Sequence, residues 1–148
     1  MSGALARRLC EIGHEAALVE AGAAYGKDSS GIFFIRPGVE GDYKRLLQDL
    51  SAQGYEPDFI AHAWSVTEDG EGSGLEVCDA LTARGYQSVI YLVRALSALG
   101  LDNRPVGLAV LSSGLHSVTG GETLSPKKAP VLGPCPTQIG RASCRERV

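Results

Sequence analysis

Ser112-Ser113-Gly114 closes a short apolar run, a place from which a serine hydroxyl can hold a ketone for reduction. Reductase chemistry of that kind also needs a tyrosine and a lysine four residues apart on the next helix. The phenol serves as the acid and the ammonium lowers its pKa. No tyrosine here has that partner. Tyr25, Tyr43, Tyr55, Tyr86 and Tyr91 are followed four residues later by Ser29, Leu47, Phe59, Ile90 and Ala95. Where the helix should carry the pair stand Pro126, Lys127, Lys128 and Pro130. The serines therefore read as strand-end hydrogen-bonding groups, and no catalytic residue is assigned.

A dinucleotide would need a glycine-rich turn between a strand and a helix. Nothing of the form GxGxxG stands before Leu5. Gly70-x-Gly72-x-Gly74 imitates it but lacks the two-residue step to a third glycine. Glu68, Asp69 and Glu71 around it would repel a phosphate, so it reads as a loop and no cofactor-binding residue is assigned. His62 falls within an apolar strand and reads as a neutral core histidine with a satisfied ring. His116 follows Ser113, but no GxSxG elbow supports a hydrolase, and His14 has no catalytic context. Glu11 and Glu15 read as solvated surface, and Trp64 as core.

Composition excludes further classes. The formal charge is −3 over 148 residues, with no basic stripe, which argues against a nucleic-acid partner. Arg7-Arg8 and Lys127-Lys128 are isolated pairs and read as solvated surface. No apolar run is long enough to cross a bilayer, and no secretory signal opens the chain. Cys10, Cys78, Cys135 and Cys144 form no CxxC pair, so neither a metal site nor a redox motif is indicated. Free buried thiols in a reducing cytoplasm are the expectation.

These residues must be positioned by alternating elements. Leu5, Leu9 and Ile12 lie at helical spacing, with Ser2 as N-cap and Gly13 as stop. Ala16 to Val19 and Ile32 to Ile35 read as strands, the first closed by Ala21-Gly22. Asp42 caps a helix with the apolar face Tyr43, Leu46, Leu47 and Leu50, which Gly54 ends. Phe59 to Val66 suits a strand covered on both faces. A helix starts near Leu75 and breaks at Gly85. It resumes as a largely buried stretch from Tyr86 to Leu99, ended by Gly100. Val106 to Leu111 is a last strand, and Pro126, Pro130, Pro134 and Pro136 then allow only short pieces.

The order predicts an α/β fold: a Rossmann-like, mostly parallel sheet flanked by helices. The chain opens on a helix where such folds open on a strand, so the expected fold is truncated and lacks its first strand. Residues 1–138 are read as this single unit. The run Ile139-Gly140-Arg141-Ala142-Ser143-Cys144-Arg145-Glu146-Arg147-Val148 resembles a translated sequencing adapter and is read as an artefactual tail on a protein that continued past Gln138. Without Arg141, Arg145, Arg147 and Glu146, a net +2 is lost and the charge becomes −5.

Several segments together resemble one family. Pro57-Asp58-Phe59-Ile60-Ala61-His62-Ala63-Trp64-Ser65 is similar to a strand in the ketoreductase region of modular type I polyketide synthases. So are Gly85-Tyr86-Gln87-Ser88-Val89-Ile90-Tyr91-Leu92 and the strand ending Ser113-Gly114-Leu115. Val118-Thr119-Gly120-Gly121-Glu122 and Val131-Leu132-Gly133-Pro134-Cys135 extend the match, and Asp42-Tyr43-Lys44-Arg45-Leu46-Leu47 fits the preceding helix. The resemblance runs from about Glu40 to Cys135 and is looser upstream.

In that family two Rossmann-like halves form the ketoreductase. The first lacks cofactor and catalytic residues. The second binds NADPH and reduces the β-keto group of a chain held on an acyl carrier protein's phosphopantetheine. This chain matches the first half. The resemblance thus implies a cytoplasmic scaffold, partnered by the catalytic half of the same polypeptide and indirectly by the carrier protein. Pro130 departs from the helix-compatible residue usual there and argues against the short helix after Pro126. A self-sufficient NAD(P)-dependent reductase with an atypical site is the enzymatic alternative, and a partner-binding module the non-enzymatic one.

Overall fold

A computed structural model describes residues 2–67, 74–117, 120–121 and 124–134. Helix α1 spans Ser2–Glu11, with Ser2 already helical, and Gly13 closes it with φ +89. Only a residue without Cβ adopts that left-handed turn readily. The helix leaves Leu5 exposed and Leu9 half-buried, and Ile12 just after it is exposed as well.

Strand β1 is Val19–Ala21, later than the expected Ala16 to Val19. It pairs in parallel with β3, Phe33–Ile35. Between them the chain forms β2, Gly26–Lys27, antiparallel to β3 and unforeseen. Two residues with one glycine carry too little pattern to read. The turn joining β2 to β3 is made by Asp28, whose carboxylate accepts the N–H groups of Ser30 and Ile32.

Helix α2 runs Glu40–Ala52. Its N-cap is Val39 rather than Asp42, which lies inside the first turn. Asp42 has other work. Its carboxylate accepts the backbone N–H, Nε–H and Nη2–H of Arg36, at 3.0, 2.9 and 2.7 Å. This fork holds the Asp42 carboxyl below its usual range. It also ties the end of β3 to the start of α2. Tyr43 donates to the Pro37 carbonyl at 2.8 Å and reinforces the same junction.

Strand β4, Phe59–Ser65, and β5, Gly107–Ser112, pair in parallel. The expectation that β4 is covered on both faces is corrected. Phe59 and Ala61 are exposed while His62 and Ser65 are buried. Phe59 lies across Gly107, where an added Cβ would come within 2.5 Å of its ring. That glycine is required by close approach.

Between β4 and β5 runs one long helical crossover. Helix α3, Leu75–Thr82, passes through a π turn at Ala83–Gln87 into α4, Ser88–Ala98. The expected break at Gly85 is therefore a π turn, not an interruption. Gly85 sits at the turn because its missing side chain admits Ser65 Oγ, 3.0 Å from where a Cβ would stand. The widened turn redirects carbonyls from the regular ladder. Ser88 Oγ lies within hydrogen-bond reach of Arg84 O at 2.5 Å and Gly85 O at 3.0 Å.

The main core lies between α2, α4 and β3. It gathers Phe33, Ile35, Tyr43, Leu46, Leu47, Leu50, Leu92, Ala95 and Leu96. Helix α4 buries this one face; Tyr86, in the π turn, remains 37% exposed, so the stretch is less buried than its sequence predicts. A 3-10 turn at Leu101–Asn103 leads to β5. After β5 a 3-10 helix spans Pro126–Leu132, with Pro130 inside it. The short helix that Pro130 argued against is thus present, in the tighter form that a proline disturbs less over a few residues. Cys10 is exposed and Cys78 half-buried, so neither is the buried thiol expected.

Candidate functional site

In open parallel sheets ligands lie at the carboxyl ends of the strands. Two features meet there. The first is a crevice of about 270 Å³ lined by Glu20 and Ala21 of β1, Ala63 and Trp64 of β4, Val66, Thr67 and Arg84. It lies where β1, paired to β3, and β4, paired to β5, diverge. Its walls bring together the Glu20 carboxylate, the Trp64 indole and the Arg84 guanidinium, with no glycine-rich turn among the lining residues. Trp64 is half-buried against the core and also faces this crevice, with its ring edge-on to His62 at 5.4 Å.

The second feature is the end of β4 and β5. Ser113 Oγ donates to Thr67 O at 2.8 Å and accepts from Thr67 N–H at 3.1 Å. Ser112 Oγ donates to Ser65 O at 3.3 Å. Both serines therefore do the strand-end hydrogen bonding that the sequence suggested. Lys128 was read as solvated surface and is not: it is 7% exposed, and its ammonium donates to Ser113 Oγ at 3.0 Å and Ser113 O at 3.3 Å. The signal was in the spacing. Lys128 and Val131 are three apart, and residues three apart share a face of a 3-10 helix. Val131, 2% exposed, packs on Gly85.

A serine and a lysine thus converge, but the chemistry of a reductase does not follow. The ammonium contacts the serine directly, where catalysis needs it to depress a phenol's pKa. Tyr43 and Tyr25 are instead pushed up, both chiefly by burial, and Tyr25 further by its hydrogen bond to Asp49. A phenol raised in this way is a poorer acid.

His62 is buried and neutral. Burial pushes its pKa down to about 4. Its Nε2 lies 2.7 Å from Ser88 Oγ. Because the Ser88 hydroxyl hydrogen goes to a π-turn carbonyl, the imidazole donates from Nε2 and its Nδ1 is the bare nitrogen. Among the described residues Nδ1 has no partner, so the ring expected from sequence to be satisfied is half satisfied.

The remaining candidates separate. His14, His116, Glu11 and Glu15 are exposed, and Glu11 pairs with Arg8 at 2.9 Å. Glu68, Asp69, Gly70, Glu71 and Gly72, with Val118, Thr119, Glu122, Cys135, Pro136 and the tail 139–148, lie outside the described residues. Among the described residues no group of three metal-ligating side chains forms. No helix among them is long and apolar enough to cross a membrane.

The family model described as beta-ketoacyl synthase-like, N-terminal, matches residues 2–110. The chain belongs to the beta-ketoacyl synthase-like N-terminal family. Solved structures show where that fold recurs. One is the adenylation, ketoreductase and pseudo-Asub multidomain structure of a keto acid-selecting NRPS module, 22% identical over 91% of this chain, with TM-score 0.79. Another is an N-terminal ketoreductase from the macrolactin assembly line, 18% identical over 74% of this chain, with TM-score 0.60. The chain spans 11% and 22% of those two chains. No curated protein matches. The Rossmann-like α/β class read from the sequence is the fold observed.

Proposed function

We propose that this chain is the non-catalytic structural half of a ketoreductase region in a modular polyketide synthase. It braces an NADPH-dependent half that reduces β-ketoacyl chains carried on an acyl carrier protein in the cytoplasm. The observation that carries this reading is the closure of the strand ends. Ser113, at the strand end where a reductase places its serine, is bonded to Lys128, and the Pro126–Leu132 segment covers both. The bracing surface follows from what α4 and its surroundings leave outside. Tyr86, exposed at 37%, lies beside Gly133, and Leu132 is exposed at 40%. An exposed aromatic on the π turn, with an exposed aliphatic on the neighbouring 3-10 segment, suits an intramolecular docking surface.

Adding this chain to a ketoreductase catalytic half that lacks its own structural half tests the reading. Joint elution and a gain in NADPH oxidation are expected. The double variant Tyr86→Asp, Leu132→Asp should remove about tenfold or more of that gain. A catalytic half equally active without the chain would contradict the proposal.

A further inference from the structure

We propose that Pro126–Leu132 is a strap, latched over the ends of β4 and β5 by Lys128, and that it releases as a unit while the core stays folded. The strap is a short 3-10 helix, a geometry with weak hydrogen bonds. Pro126 and Pro130 remove amide donors from it.

It packs on α3 and the π turn, and three of its contacts bear on release. Ser125 N–H donates to Gly114 O at 2.7 Å at its entry. Val131 rests on Gly85, with its Cβ 3.5 Å from where a glycine Cβ would be. Between them the Lys128 ammonium reaches Ser113.

That last contact is unusual. Lys128 is buried, yet among the described residues it has no ion-pair partner. An ammonium taken from water and given, among the described residues, the neutral oxygens of Ser113 recovers little of its hydration. Closure therefore gains from two directional hydrogen bonds and loses from desolvation. Such a balance makes a latch rather than a fixed wall. The strap's apolar anchor Val131 is not a member of the core formed by α2, α4 and β3. Release can leave that core intact, the signature of a local opening unit. An open strap uncovers Ser65, Gly85 and Ser113 at the strand ends.

Hydrogen exchange of the 148-residue chain, read by mass spectrometry, tests this. The strap amides should exchange faster than those of α4. Lys128→Met keeps the apolar stem and should speed strap exchange about tenfold with α4 unchanged. Ser113→Ala, which keeps the lysine, should act in the same direction. Acylation of the native protein should reach Lys128 more slowly than the exposed Lys44, at a rate that follows strap exchange. The proposal is overturned if strap and α4 amides exchange together, or if both variants leave strap exchange unchanged.

Discussion

Between pH 6.5 and about 4, the folded protein loses roughly 3 kcal/mol of stability through His62 alone. The sign follows from proton counting. In the unfolded chain this imidazole takes a proton as the pH drops below its ordinary 6.5, whereas burial delays protonation in the folded chain to about 4. Stability is therefore complete above 6.5, falls through that window, and is flat beneath it. The magnitude is large because His62 is buried, 7% exposed, and the neutral Ser88 hydroxyl that its ring meets has its hydrogen committed elsewhere. Urea unfolding across this pH range measures the slope. His62→Gln keeps a donor toward Ser88 and removes the titration, so its profile should lie flatter than that of the parent. Parallel profiles would assign the acid sensitivity to other groups.

Leu96→Ala should cost about 2–5 kcal/mol, a large share of the stability of a domain this size. Leu96 is 7% exposed and belongs to the α4 face packed in the core with Leu46, Leu47 and Leu50 of α2. Tyr86→Ala provides the contrast. Tyr86 stands outside that cluster, so its loss should leave the unfolding midpoint nearly unchanged while weakening docking to a catalytic half. Denaturant midpoints for the two variants separate packing from recognition. Equal destabilisation would mean that Tyr86 is part of the packed interior and not of a docking face.

The parts of this fold written in apolar spacing were legible. Tyr43, Leu46, Leu47 and Leu50 recur at helical intervals and form the buried face of α2. Gly13, Gly54 and Gly100 end helical segments with positive φ, as their positions implied. Legibility failed where a distant neighbour decides the outcome. Asp42 looks like a cap in isolation, but the Arg36 fork six residues back claims both its oxygens. Lys128 looks solvated because lysine usually is, and only β5 arriving beneath it supplies Ser113. Gly85 signalled a break, yet the sequence alone does not separate a stop from a π turn. Ser65 in the neighbouring strand and Ser88 three residues on make the turn hold together. The absence of a tyrosine-lysine pair was readable directly. That the lysine would close on the serine was not.

The central claim, that this chain carries the architecture of a reductase without its reactive equipment, is tested most directly by calorimetric titration of NADPH into the 148-residue protein. The account predicts no saturable heat up to about millimolar ligand, and no NADPH oxidation when a β-keto thioester is added. Saturable binding accompanied by turnover of the ketone would contradict it.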